Sequence, residues 1–207
     1  MLAIEKKTAQ KLQDERTLQK MVRLDSHIGL VFAGLTADAR VLINKAMLEA
    51  QSYRLSIEDA PSVEYMARFV ASVQQRYTAK GGARPFGIAL LLAGIGTEGG
   101  ELWLSDPSGT YSSWKAYATG RNAKTVNEYL EKNYKTVAEA GTEESALKLA
   151  VRGLQEVIET GQENLEVAVI RRGKPLERLN GDELTALLAS IDADKKREEE
   201  EAAAEKK

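Results

Sequence analysis

Gly34-Leu35-Thr36-Ala37-Asp38-Ala39-Arg40 is where the period of this chain changes, and that change decides the fold. Before it, Ile28 to Ala33 is a continuous apolar run, the pattern of a strand buried on both faces. After it, Ala39, Leu42, Ile43, Ala46, Met47 and Ala50 recur at the spacing of a helix. Thr36 or Asp38 is placed to cap that helix by accepting the free amide hydrogens of its first turn.

Upstream, Leu2 to Glu5, Lys11 to Gln13 and Lys20 to Leu24 read as short strands. Downstream, Pro61-Ser62 opens a second helix with Val63, Met66, Ala67, Val70 and Val73 on one side. Gly81-Gly82 breaks it. Phe86 to Ala93 is a dense apolar strand, and Glu101 to Leu104 and Tyr111 to Ala118 are its expected antiparallel followers. Two helices come next. One carries Val126, Tyr129 and Leu130, and the other a stripe from Ala146 to Ile158. Leu165 to Arg171 and Pro175 to Leu179 form an expected hairpin around Arg172-Gly173-Lys174. Asn180-Gly181-Asp182-Glu183 has the spacing of a capping box for a short last helix. Strand runs alternating with helix pairs predict antiparallel sheets with helices stacked outside, an α+β sandwich of four layers, αββα. One domain is expected over residues 1–191. From Asp192 to Lys207 the chain is Asp, Glu, Lys, Arg and Ala, which cannot bury enough apolar surface to offset its ordering entropy. That segment is expected to be a solvated helix extension or a disordered tail.

Composition narrows the chemistry. A chain of 207 residues with net charge −2 gives no electrostatic argument for nucleic acid or an anionic membrane. No apolar run approaches the ~20 residues that span a bilayer. Glu5-Lys6-Lys7 directly after the apolar start is unlike a secretory signal. The absence of cysteine excludes disulfides, thiolate metal sites and a cysteine nucleophile, and fits a reducing compartment. With His27 as the single histidine, a multi-histidine metal site and a histidine-based triad are not expected. No cofactor and no metal are expected.

Several near-motifs have ordinary readings. Gly94-Ile95-Gly96-Thr97-Glu98-Gly99 matches a dinucleotide-binding glycine pattern, but a strand follows it where that chemistry needs a helix, so it reads as a hairpin turn. His27 reads as a turn residue beside Asp25 and Ser26. Trp103, Trp114, Tyr111 and Tyr117 read as sheet packing, since no basic stripe accompanies them. Lys195-Lys196-Arg197 reads as a solvated charge run, with a nuclear-import patch as the alternative. The Gln75 to Gly87 stretch is either an ordinary helix-to-strand connection or a loop shaped to contact a neighbouring subunit.

Taken together, five segments resemble the alpha-type subunits of the proteasome core particle, whose chains pass in order through G-L-x-A-D-A-R, Q-x-Y-T-Q, R-P-F-G, D-P-S-G and a strand ending A-x-G. Here these are Gly34 to Arg40, Gln75-Arg76-Tyr77-Thr78, Arg84-Pro85-Phe86-Gly87, Asp106-Pro107-Ser108-Gly109 and Ala118-Thr119-Gly120. The resemblance runs from residue 1 to about residue 190. Lys11 to Thr17, Gly109-Thr110-Tyr111 with Trp114-Lys115-Ala116, and Leu130 to Tyr134 are most similar to the fourth of the seven eukaryotic alpha types. Two departures stand out. Ala79 replaces the family's glutamine. The family's amino-terminal segment, with its pore-closing tail, inter-subunit helix and first strand, has no counterpart before Met1. A chain lacking it is expected to leave a sheet edge unpaired.

The resemblance implies the N-terminal-nucleophile hydrolase sandwich without the hydrolase. The proteolytic relatives attack with an amino-terminal threonine whose own amine is the base. Here Met1 is no nucleophile, Thr8 is internal, and Glu5 and Lys20 lie where an assisting aspartate and lysine would fall. It also implies partners: neighbouring alpha subunits, beta subunits, and the carboxy-terminal tails of a regulatory particle or activator. In related rings a lysine at the position of Lys20 pairs with a tail carboxylate in a pocket, and Gly34 with Leu35 matches the pocket wall. The implied role is a non-catalytic subunit of the outer alpha ring in ubiquitin-dependent protein degradation, in cytoplasm and nucleus. A catalytically active hydrolase of the same superfamily is the alternative, and a free-standing binding module a third reading.

Overall fold

The computed structural model describes residues 1–6, 14, 19–158 and 165–205. The expected strand at 11–13, Thr8, and all but Asp14 of the 11–17 motif lie outside the described residues. The order is β1 (Leu2–Glu5), β2 (Met21–Asp25), β3 (Ile28–Gly34), α1 (Thr36–Ile57), α2 (Val63–Ala79), β4 (Ile88–Ile95), β5 (Gly100–Ser105), β6 (Tyr111–Ser113), α3 (Ala123–Ala140), α4 (Glu143–Gln155), β7 (Leu165–Val169), β8 (Glu177–Arg178) and α5 (Gly181–Glu205). Strands β2-β3-β4-β5-β6 form one antiparallel sheet in sequence order, and β1-β7-β8 form a second.

The apolar run of β3 is buried because both of its faces are covered. Side chains alternate across a strand. Ile28, Leu30 and Phe32 of β3, with Ile88, Leu90 and Leu92 of β4, join the core under α1 and α2. Val31, Leu91 and Ala93 point the other way and meet Leu2, Ile4 and Ala168 of the second sheet. Behind that sheet, Leu165 and Val167 pack against Val151 of α4 and Leu187, Leu188 and Ile191 of α5. Helix pair, sheet, sheet and helices are therefore four layers with three cores between them, as the alternation of strand runs and helix pairs predicts.

Helix starts follow local chemistry. Ser62 caps α2 by accepting from the Tyr65 amide at 3.1 Å, and Thr142 caps α4 by accepting from Ser145 at 3.2 Å. The capping box of α5 is reciprocal: Glu183 N–H donates to Asn180 Oδ1 at 2.8 Å, and Asn180 N–H to Glu183 Oε2 at 3.0 Å.

Four expectations are corrected. The cap position of α1 is Leu35, with no side-chain cap, because Asp38 is engaged elsewhere and Thr36 is already helical. The strand expected over Tyr111 to Ala118 ends at Ser113, since the chain turns away after one last bond from Trp114 N–H to the Leu102 carbonyl at 2.8 Å. Trp114 and Tyr111 are correspondingly exposed at the sheet margin, while Trp103 packs on the core. The last helix, expected to be short, runs on past Asp192 as a helix extension, one of the two forms expected for the charged end; Asp194 reaches back to Lys148 of α4 at 2.8 Å.

Candidate functional site

The five quoted segments converge at one end of the sandwich. Gly34 ends β3 with φ 128°, a conformation that disfavours any side chain, and a Cβ there would be driven into the Gly87 carbonyl oxygen. That carbonyl accepts from Leu35 N–H at 3.0 Å. One turn later, Asp38 is buried and takes a two-pronged ion pair from Arg84, with Nη1 to Oδ2 and Nη2 to Oδ1 both at 2.7 Å. Its Oδ2 also accepts from Gly87 N–H at 2.9 Å. The Arg84 bonds, then the Gly87 amide, hold the Asp38 carboxyl down to about 2. Arg84 and Gly87, at the end of the Gln75 to Gly87 stretch, are thus pinned to the start of α1. Phe86 adds a ring contact to Tyr77 of α2, centroids 4.7 Å apart.

The fourth segment closes the hollow from the side. Asp106 Oδ1 accepts from Ser108 N–H at 2.8 Å, a turn that lets Gly109, with φ 86°, press against the backbone of α2 where a side chain would collide. Next to it, the fully buried Gln74 donates to the Ile88 carbonyl at 3.0 Å and accepts from Ser105 Oγ, tying α2 to β4 and β5. Gly34, Gly87, Pro107, Thr119 and Gly120 line one hollow of about 370 Å³. Gly34 with Gly87, Gly109 with Gln75 and Phe86 with Tyr77 thus meet at this end.

Lys20 lies just before β2, and its Nζ donates to the Glu5 carbonyl at 3.2 Å, bridging the two sheets. Its own carbonyl accepts from Phe32 N–H at 3.3 Å. Lys20, Glu5, Gly34 and Thr36 are among the residues that line a cleft of about 1440 Å³ between the sheets, α3 and α4. The structure thus brings Lys20 and Gly34 to one cleft. Leu35 is exposed and rests on Gly87, where an added Cβ would touch its Cδ1. An ammonium has three donors, one of them given to Glu5, and its charge in the cleft lining suits a carboxylate. Glu5 takes part through its backbone, so Glu5 and Lys20 do not form the carboxylate–ammonium pair of a hydrolase.

Sequence reasoning quoted Asp38 and Arg84 without pairing them. The pairing spans 46 residues, and the local pattern gave Asp38 a capping role instead. His27 donates through Nε2 to the Pro61 carbonyl at 2.8 Å, so the turn reading holds, and the Gly94–Gly99 pattern is a hairpin turn closed by Gly96 N–H to the Gly99 carbonyl at 2.7 Å. Among the described residues no group of three or more His, Asp or Glu is placed to hold a metal ion, and no helix is long and apolar enough to cross a membrane.

Comparison with known proteins gives one answer. The family model described as proteasome subunit matches residues 1–170. Proteasome subunit alpha type-7 of Dictyostelium discoideum is 53% identical over 207 residues, covering 100% of this chain and 81% of the relative. Proteasome subunit alpha type-7-A of Arabidopsis thaliana is 51% identical over 198 residues (94% of this chain, 78% of the relative), and alpha type-8 of Mus musculus 48% over 196 (94% and 78%). These names read type-7 and type-8, so they do not carry the expected assignment to the fourth type. The chain belongs to the proteasome subunit family, on its alpha side.

Proposed function

We propose that the chain is a non-catalytic structural subunit of the outer alpha ring of the proteasome core particle, acting in ubiquitin-dependent protein degradation. The observation that carries this is identity of 53% along the whole chain to a relative named as a proteasome alpha subunit. In that role it packs between neighbouring alpha subunits and docks on a ring of beta subunits, in cytoplasm and nucleus. One fixed ring position is its place, the one held by the relatives called alpha type-7; cross-links to its two ring neighbours decide whether this is the position numbered fourth.

The same reading gives the cleft a task. Lys20, with Gly34 and Leu35 as wall, receives the terminal carboxylate of an activator's tail. The partly buried position and the carbonyl anchor on Glu5 support this, because a pre-positioned charge loses less freedom on binding. Two measurements test the function. Purified chain exposed to threonine-directed covalent probes stays unlabelled; labelling at a threonine overturns the non-catalytic reading. Lys20→Ala weakens binding of tail peptides by about tenfold, as expected for a partly desolvated charge pair, with ring assembly unchanged. Equal affinity for the altered pocket refutes the tail assignment and leaves the scaffold role standing.

A further inference from the structure

Gly34 and Leu35, the wall of the tail pocket, have no side-chain fastening of their own. Leu35 takes the cap position of α1 without a side-chain cap, and its own side chain is exposed. Both residues are held through the backbone. Gly34 pairs with Ile88 at the end of the β3–β4 ladder, and Leu35 N–H donates to the Gly87 carbonyl at 3.0 Å. The wall therefore stands where Gly87 puts it.

The connection from α2 does little to place Gly87. A side chain at Gly81 or Gly82 would meet open space, and Gly82 has φ 77°. The fastening comes from α1 instead. Gly87 N–H donates to Asp38 Oδ2 at 2.9 Å, and Arg84 grips both oxygens of that carboxylate at 2.7 Å. Asp38 stands three residues past Leu35, in the first turn of α1. The contacts close a ring: Leu35 to Gly87, Gly87 to Asp38, and Asp38 back to Leu35 along the helix. Arg84 braces that ring from outside, with 66% of its side chain exposed. A two-pronged guanidinium–carboxylate pair fixes direction as well as distance, which an ammonium does not. Space along the ring is tight. A Cβ added at Gly87 would press on the Leu35 side chain, and one at Gly34 on the Gly87 carbonyl, so a shift of Gly87 moves the wall with it.

We propose that Asp38 and Arg84 are positioning residues for the activator-tail pocket: they hold Gly34 and Leu35 in the arrangement that lets Lys20 meet the terminal carboxylate of a tail. This rests on the reading of Lys20, Gly34 and Leu35 as that pocket and adds what sets its shape. Neither Asp38 nor Arg84 touches the tail. The gain in binding comes from a wall ordered before the tail arrives, which leaves less freedom to lose on contact.

The test uses assembled core particles that contain the tagged chain. Two photoreactive peptides carry the last residues of an activator tail, one with a free terminal carboxylate and one amidated. Labelling of this chain against peptide concentration gives the preference for carboxylate over amide at this pocket. Wild type is expected to prefer the carboxylate by about tenfold. Arg84→Lys keeps the charge, loses the fork and cuts the preference to about threefold or less. Asp38→Asn, the second variant, lowers it likewise. Lys148→Ala, which loosens an ion pair in the opposite layer, leaves the preference at its wild-type value. Adding Arg84→Lys to Lys20→Ala takes away no further preference, because the clamp acts through the pocket. Wild-type preference in both clamp variants, or an equal loss in Lys148→Ala, overturns the positioning role and leaves the tail reading standing. A preference untouched by Lys20→Ala overturns the tail reading and this inference together.

Discussion

The two helical layers of this molecule are built by different means. Under α1 and α2, β3 and β4 supply a core in which Leu30, Leu42, Met66, Leu90 and Leu92 are fully buried. On the opposite side α3 buries only Val126 and Leu130, α4 and α5 bury Val151, Leu187, Leu188 and Ile191 against the second sheet, and ion pairs add to that layer. Lys148 of α4 bridges Asp194 of α5 at 2.8 Å and Glu144 at 3.0 Å, and Arg171 joins Glu143 and Glu177. The difference teaches where stability and where adaptability sit. Apolar burial alone fixes the half that presents the Asp38–Arg84 clamp, while the half that borders the large cleft joins smaller apolar clusters to solvated, individually weak ion pairs.

The largest effect should come from the buried half. Leu92→Ala is expected to cost about 3–5 kcal/mol by leaving a cavity in a packed core, against about 2 kcal/mol for Leu130→Ala at the margin of the other half. Denaturant unfolding of both variants checks the gap, and equal losses would erase the contrast. Gly34→Ala comes next. Its strained φ and the collision with the Gly87 carbonyl should cost about 3 kcal/mol, read by the same titration.

The clamp itself has a pH signature. The folded Asp38 carboxyl is held at about 2, below its ordinary value, so its contribution is complete above about pH 4 and lost as pH falls through about 2. The exposed guanidinium of Arg84 limits the size to roughly 1–2 kcal/mol. Asp38→Asn should lower stability at about pH 5 and flatten the decline toward about pH 2.5; an unchanged slope would show that the clamp is not coupled to folding. The smallest effect is on the other side. Lys148→Ala should lower Tm by less than about 3 °C, with the difference vanishing in high salt. A larger, salt-independent loss would mean that this layer is held as firmly as the first.

The same contrast sets what could be read in advance. Helix α1, the strand before it and the capping box of α5 were legible because period and cap residues are local signals, and the four layers followed from element order. Less legible were features made by distant residues. Asp38 sits where a cap would, yet its partner is 46 positions away, so the cap expectation failed for a reason no local pattern carries. Tyr111 to Ala118 was expected to be a strand, but register pairing with β5 ends at Ser113, and Tyr111 and Trp114 are left exposed. For the charged end from Asp192, composition left helix extension and disordered tail both open, and the tie of its first turn to α4 through Asp194 was not legible. At the candidate site, Lys20 and Gly34 were named from resemblance. The Glu5 carbonyl that positions Lys20 was not, because backbone acceptors leave no mark in a sequence.

The central claim is that this chain is a ring component and does no chemistry of its own. Native mass spectrometry of the tagged chain isolated with its natural partners tests it most directly, since membership of a ring is a mass. The account predicts a large heteromeric particle containing other alpha and beta subunits, with this chain at one copy in each outer ring. A chain recovered alone, or only with itself, from cells whose proteasomes are intact would contradict it.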